Sequence, residues 1–167
     1  SLLDPRIVGD DHSDVLAIYS LSKQSNLAGY RAAFLAGDRA LVARLLTVRK
    51  HAGLIVPGPV QRAMVAALAD EAHVSEQRER YRARRDVLKP ALEAAGFRID
   101  GSEAGLYLWA TRGVDAWQTI AELAEIGIVA GPGHFYGEYS PNHVRLALTA
   151  NDADIAEAAA RLRAIPG

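Results

Sequence analysis

The 167-residue chain contains no cysteine. That absence excludes disulfides, thiolate nucleophiles and cysteine-ligated zinc together. It fits a reducing compartment, and a cytoplasmic location is expected. Charge of one sign is missing too. Nineteen basic side chains against 20 acidic ones leave a net charge of −1, so no global field draws the chain to nucleic acid or to an anionic membrane. No run approaches the roughly 18 apolar residues that a membrane span needs. Neither a nucleic-acid nor a membrane partner is expected. The five histidines show neither H-x-x-x-H nor H-E-x-x-H spacing, which argues against a metal site. Gly127, Gly131, Gly133 and Gly137 do not form G-x-G-x-x-G, so a dinucleotide site has no support. The first residues, SLLDPRIVGDDHSD, lack both an initiator Met and the basic and apolar regions of a signal peptide. The expectation is a chain that starts inside a larger fold.

What is present describes an ordinary globular protein. Half the residues are hydrophobic and 23% are charged, a balance that argues against disorder. Val15 to Tyr19 is a short apolar run and reads as a buried strand ending at Ser20. Tyr30 to Leu35 is a second strand candidate. Leu41, Leu45 and Val48 recur at helical spacing over Arg39 to His51. Val56-Pro57-Gly58-Pro59 reads as a turn, with a short helix over Val60 to Leu68. The longest helical pattern runs from Val74 to Ala95, and Pro90 predicts a kink or break inside it. Beyond it, Phe97–Ile99, Leu106–Trp109, Ile128–Ala130 and Val144–Leu148 read as strands. Helices are expected over Trp117–Glu125 and after an Asn151 N-cap. The order suggests an α/β piece over residues 1–75, a connecting helix over 76–95 and a β-β-α-β-β-α unit over 96–167.

Chemistry concentrates in Ser20-Leu21-Ser22-Lys23-Gln24-Ser25-Asn26-Leu27-Ala28-Gly29-Tyr30-Arg31. The segment begins at a strand end and carries hydroxyls, one amine and one guanidinium within twelve residues. Hydroxyls at a strand end and an arginine fork can grip phosphate oxygens, and a lysine held there can form an imine with a carbonyl. A solvated polar loop explains the same residues, and physics alone does not choose. In His143-Val144-Arg145-Leu146-Ala147-Leu148, the alternation puts Arg145 on the face opposite Val144 and Leu146. By itself it reads as a wet residue on an edge strand. Arg78, Arg80, Arg82, Arg84 and Arg85, interleaved with Glu76 and Glu79, read as a solvated helix face. Asp152 and Asp154 read as helix-start charges.

The spacing S-x-S-K-x-x-x-L-x-G-x-R resembles the lysine segment of fold-type I aminotransferases, which use pyridoxal 5'-phosphate (PLP). The resemblance implies that Lys23 is the catalytic lysine that carries PLP. It implies that Ser20 and Arg31 bind the cofactor phosphate with help from Ser22, and that Gly29 permits close backbone approach. Arg145 matches the arginine that grips the substrate carboxylate. Pro132-Gly133-His134-Phe135 resembles the turn before that strand, with Phe135 as a wall of the substrate pocket. The fold implied is α/β, part of the large-domain sheet (residues 1–75), then the long helix, then an α+β small domain. The run Y-S-L-S-K-Q-S-N-L-A-G-Y-R and the segments R-K-H-A-G and Y-L-W-A-T-R resemble, more narrowly, the actinobacterial succinyldiaminopimelate transaminases of lysine biosynthesis. Amino acid and 2-oxo acid substrates and a homodimer are implied.

The family's ring-stacking aromatic, its Asn and Tyr to the ring oxygen and its Asp to the pyridine nitrogen have no matching motif here. An incomplete site is therefore expected. A C–S lyase on the same fold and a non-enzymatic ligand-sensing domain are the competing readings.

Overall fold

The computed structural model describes residues 2–165. The chain divides into two compact units, Ser1–Ser75 and Glu76–Gly167.

The first unit is built on a two-stranded antiparallel sheet. Strand β1 (Leu16–Ser20) pairs with β2 (Ala33–Gly37), with Leu16 opposite Gly37 and Ser20 opposite Ala33. Gly37 has φ +138°, and a Cβ there would fall 2.1 Å from the Val15 carbonyl oxygen, so only glycine closes this end. A four-residue helix, α1 (Pro5–Val8), precedes the sheet, and a second, α2 (Leu21–Gln24), follows β1 directly. The second strand starts at Ala33 rather than at Tyr30. Ala28–Tyr30 form a 3-10 turn, and Arg31 is left-handed at φ 49°, which turns the chain before pairing begins. Helix α3 (Arg39–His51) is capped by Asp38, whose carboxylate accepts from Ala40 N and Leu41 N. Helix α4 (Gly58–Leu68) includes the Gly58-Pro59 pair that reads as a turn in the sequence. Proline is tolerated there because the first helical N–H groups have no partner in the helix. The core of this unit is small: Leu21, Ala32 and Met64, backed by Leu27, Phe34, Val56, Val60 and Ala67. Large apolar side chains stay open, with Ile18 75% and Val65 67% exposed.

Helix α5 (Glu71–Ala94) runs from the first unit into the second. It begins earlier than its apolar pattern suggests, because the Asp70 carboxylate accepts from Ala72 N and His73 N. Pro90 does not interrupt it. The proline is exposed, whereas Leu88, Ala91 and Leu92 are buried on either side. Their packing offsets the one backbone hydrogen bond that proline removes.

The second unit is a four-stranded antiparallel sheet in the order β3-β4-β6-β5, with β3 at Arg98–Ile99, β4 at Tyr107–Thr111, β5 at Gly131–Pro132 and β6 at His143–Ala147. Helices α6 (Ala116–Glu125) and α7 (Asp152–Arg163) complete the β-β-α-β-β-α order that the sequence suggests. Asp115 and Asn151 cap them. The short strand falls one step later than Ile128–Ala130. Ile128 is buried and Val129 is exposed, but ladder pairing starts only at Gly131, opposite Arg145. Leu108, Ala110, Val144 and Leu146 point to one face of the sheet and join Leu88, Leu92, Leu123, Ile155, Ala159 and Leu162 in a single core. Arg84 and Arg85 leave the solvated face expected for the basic run. Arg84 donates to Asp152 (2.6 Å) and to the Leu148 carbonyl (3.0 Å), and Arg85 donates to the Gly105 carbonyl (2.8 Å). Arg80 and Arg82 do pair with Glu76 and Glu79 along the exposed helix.

Among the described residues no helix is long and apolar enough to cross a membrane. The fully buried Leu108 sits at the centre of this core. Replacing it with alanine is expected to destabilise the second unit by about 2–5 kcal/mol, read as a lower urea midpoint at unchanged slope. A loss below about 1 kcal/mol would show that the core does not close on this strand.

Candidate functional site

In the first unit, β1 ends at Ser20 and the chain enters α2 at once. Ser20 is the N-cap: its Oγ accepts from Ser22 N (3.2 Å) and donates to Ser22 Oγ (2.9 Å). Two hydroxyls are thus held side by side at the strand end, and Lys23 follows in the same turn. Its ammonium is exposed and, among the described residues, makes no hydrogen bond or ion pair. Arg31 lies two residues before Ala33, the cross-strand partner of Ser20, so the hairpin brings Ser20 and Arg31 to the same end of the sheet. Its guanidinium donates to the Ala28 carbonyl (3.2 Å), and no carboxylate pairs with it among the described residues. Asn26 (φ 53°) and Arg31 (φ 49°) are both left-handed without being glycine. Such strain concentrates at functional sites and persists only where the surroundings fix it. Gly29 does not serve close packing within this chain, since a Cβ there would meet nothing within 4 Å.

A second link holds this segment from behind. His73 on α5 has Nδ1 3.1 Å from Asp70 Oδ2 and Nε2 2.9 Å from Ser25 Oγ. Backbone N–H bonds from His73 and Ala72 hold the Asp70 carboxyl below the usual carboxylate range, so it stays ionised and accepts the Nδ1 proton. The other ring nitrogen meets the Ser25 hydroxyl. Ser25 is the C-cap of α2, so the relay fixes the end of the lysine-bearing turn. Sequence spacing hides it, because 48 residues separate the two partners.

In the second unit, the sheet face opposite the core carries Tyr107, Trp109, His143 and Arg145. Trp109 is directly opposite Arg145 in the β4–β6 ladder. The Arg145 Cζ lies 4.1 Å from the Tyr107 ring centre and 5.2 Å from that of Tyr136. Trp109 meets Tyr136 edge-on at 5.5 Å and stacks on His143 at 5.3 Å. Strand β6 is interior to the sheet, so Arg145 is not the wet edge residue of the alternative reading. Its Nε is buried without a partner, and no hydrogen-bond acceptor reaches the side chain among the described residues. Phe135 is 70% exposed and its ring meets Trp117 edge-on at 5.7 Å. The next residue, Tyr136, is the one that faces Arg145. Gly133 makes that turn possible, because a Cβ there would fall 1.9 Å from the Ser140 carbonyl oxygen.

His143 Nε2 donates to Asp100 (2.9 Å), and Asp100 also takes a two-pronged contact from Arg98 (2.9 and 3.0 Å). The Arg98 guanidinium first, and the His143 bond second, hold the Asp100 carboxyl far below its ordinary range.

The order of elements defines a two-part α/β fold: a hairpin with flanking helices, a long helix and an α+β unit. The chain belongs to the aminotransferase class I and II family, whose model matches residues 4–162. It is 60% identical over 162 residues to the 4-dedimethylamino-4-oxo-anhydrotetracycline transaminase OxyQ of Streptomyces rimosus, covering 97% of this chain and 45% of that protein. It is 57% identical over 162 residues to a Mycobacterium tuberculosis protein named probable aminotransferase Rv1178, covering 97% of this chain and 39% of that one. The chain therefore spans less than half the length of these two relatives. A solved structure of a probable N-succinyldiaminopimelate aminotransferase from Thermus thermophilus superposes with a TM-score of 0.81 at 31% identity, over 92% of this chain and 42% of that one.

Members of this class use pyridoxal phosphate, and the residues of the first unit fit it. Lys23 supplies an amine that no carboxylate occupies, and Ser20, Ser22 and Arg31 supply donors for a phosphate dianion. Among the described residues no group of three His, Asp or Glu could hold a metal ion.

The depressed Asp100 carboxyl sets a pH signature. A carboxylate with a lowered folded-state pKa adds stability that is fully present above the unfolded value of about 4 and is lost as pH falls through the folded value. Asp100→Asn is thus expected to lower the unfolding midpoint most between about pH 5 and pH 7, with the gap to the parent closing below about pH 4. A gap that stays constant or widens in acid would contradict the paired arrangement.

Proposed function

We propose that this chain is the portion of a PLP-dependent aminotransferase that carries the cofactor lysine and the carboxylate-binding arginine. Residues 1–75 are read as part of the cofactor-binding large domain, 76–95 as the connecting helix and 96–167 as the small domain. What supports the reading most is the end of the β1–β2 hairpin, where Ser20 and Ser22 hold their hydroxyls 2.9 Å apart beside Lys23 and across the ladder from the Arg31 turn. Lys23 would hold the cofactor covalently, with Ser20, Ser22 and Arg31 on its phosphate. When bound, the cofactor supplies an aldehyde for the incoming amino group and a ring that draws electrons from the substrate Cα. The free Lys23 Nζ would then serve as the base for the Cα proton. Arg145 holds the substrate carboxylate through its N–H edge, and Phe135 offers an apolar surface to the rest of the substrate.

For the substrate we read N-succinyl-LL-diaminopimelate as donor and 2-oxoglutarate as acceptor, supported by the quoted sequence resemblance and the Thermus neighbour. The 60% identity to OxyQ supports a second reading, amino transfer to a polycyclic ketone such as 4-dedimethylamino-4-oxo-anhydrotetracycline. Assaying the full-length enzyme with both compounds separates them, and turnover of neither removes both. The whole enzyme is read as a cytoplasmic homodimer, which sedimentation of the full-length protein tests. The exposed apolar side chains of the first unit agree with a surface that other protein covers.

Borohydride reduction of the full-length holoenzyme followed by peptide mapping is expected to leave the cofactor's mass on the Lys23 peptide, and Lys23→Ala should abolish amino transfer. Label on another lysine, or near-normal turnover in that variant, would refute the assignment. Arg145→Ala is expected to raise KM for amino acid and 2-oxo acid alike, by about 30-fold or more, because a charge-assisted pair lost in truncation costs about 2 kcal/mol or more. Equal KM values in variant and parent would remove Arg145 from the substrate site.

A further inference from the structure

A half-buried guanidinium must be compensated for the water it has lost. The usual partner is a carboxylate or a backbone carbonyl, and every other half-buried arginine among the described residues follows that rule. Arg49 donates to the Leu54 carbonyl, Arg84 to Asp152 and Leu148, Arg85 to Gly105, and Arg112 pairs with Glu122. Arg145 alone has no acceptor among the described residues. It has instead the rings of Tyr107 and Tyr136, 4.1 and 5.2 Å from its Cζ.

An aromatic ring attracts a cation through the negative charge of its π face. That attraction acts on the guanidinium as a whole and takes up none of its five N–H donors. A carboxylate in the same place would stabilise Arg145 more strongly but would occupy the donors a ligand needs. We propose that Tyr107 and Tyr136 are positioning residues that serve as the counter-surface of Arg145 in place of an acid. They hold the guanidinium in its half-buried position while leaving its N–H edge free for a substrate carboxylate. Trp109, opposite Arg145 in the ladder and edge-on to Tyr136, keeps the second ring in place, and Gly133 allows the turn that delivers it. The proposal rests on the reading of Arg145 as the carboxylate-binding group. It adds that affinity for every carboxylate substrate depends on two ring faces rather than on a second charge.

The test uses the full-length holoenzyme with Tyr107→Leu, Tyr107→Phe, Tyr136→Leu and Arg145→Gln. Two quantities are read: steady-state kinetics with L-glutamate and 2-oxoglutarate, and calorimetric binding of succinate, an unreactive dicarboxylate. A cation–π contact of this kind corresponds to about a fivefold change in an equilibrium constant. Each leucine variant is expected to raise both KM values and the succinate Kd by about fivefold, with kcat within about twofold of the parent. Tyr107→Phe keeps the ring and should stay within about twofold of the parent on every measure. The proposal is overturned if the leucine variants bind succinate like the parent, or if Tyr107→Phe is as impaired as Tyr107→Leu, which would make the hydroxyl the active group. Arg145→Gln separates the two levels. If it leaves succinate binding unchanged, the carboxylate reading itself fails. If it weakens binding while both leucine variants do not, only the role of the rings fails. Should Tyr107→Leu fail to fold, the half-exposed Tyr136 and the conservative phenylalanine change still decide the matter.

Discussion

The register of β4 against β6 is the constraint on which the second unit depends. With Leu108 opposite Leu146 and Ala110 opposite Val144, the four side chains face the core, and Trp109 opposite Arg145 faces away from it. Strand side chains alternate with a period of two, so a slip of one residue would exchange the two sets. Arg145 would then enter a core of leucines and alanines without an acceptor, while Val144 and Leu146 would be solvated. Burial of the apolar set thus enforces the exposure of the polar set. The cluster of Tyr107, Trp109, His143 and Arg145 is the reverse side of the packing problem and requires no separate folding instruction.

The two units differ in how much they resolve by themselves. The second closes a core of sixteen buried residues drawn from α5, α6, α7 and the sheet. The first buries three, and its strand β1 leaves Ile18 three-quarters exposed. The run from Val15 to Tyr19 has the continuous apolar character of a strand covered on both faces. Within these residues it is paired on one edge only. The exposed amine of Lys23 belongs to the same picture. Its neighbours here are the paired serines, and nothing in the unit buries it.

Some of this was legible in the sequence, for reasons that can be stated. The β-β-α-β-β-α order follows from alternation in β4 and β6 and from helical periodicity in α6 and α7, local signals that a window of ten residues contains. The segment from Ser20 to Arg31 is legible because its chemistry is contiguous. The relay from Asp70 through His73 to Ser25 is not, because its partners come from distant positions and a histidine outside a metal pattern carries no signal alone. The left-handed Arg31 was hidden by its residue type, since arginine gives no hint of positive φ. The break that Pro90 predicts is absent because the rule for proline concerns the backbone, while Leu88, Ala91 and Leu92 hold the helix by burial. Tyr136 shows the same limit at finer scale. A turn motif locates a short segment of chain, but only the path through Gly133 determines which ring meets Arg145.

The arginines show how function can be distinguished from architecture on physical grounds. Arg84 and Arg85 fasten the long helix to carbonyls and an acid, although the buried Arg85 Nε itself has no partner. Such contacts stabilise the molecule and leave each guanidinium committed to an acceptor within the fold. An arginine that is half-buried and yet lacks an acceptor is in an unfavourable state unless something other than a hydrogen bond compensates it. In this sheet the compensation comes from ring faces, which are weaker per contact than a carboxylate but do not compete with one. A carboxylate that arrives at such a group meets donors already desolvated, so binding does not first have to displace a resident acid. On the reading of Arg145 as the carboxylate-binding group, the weakness of the aromatic contact is what keeps its donors available: a stronger internal partner would give a more stable protein with a closed site.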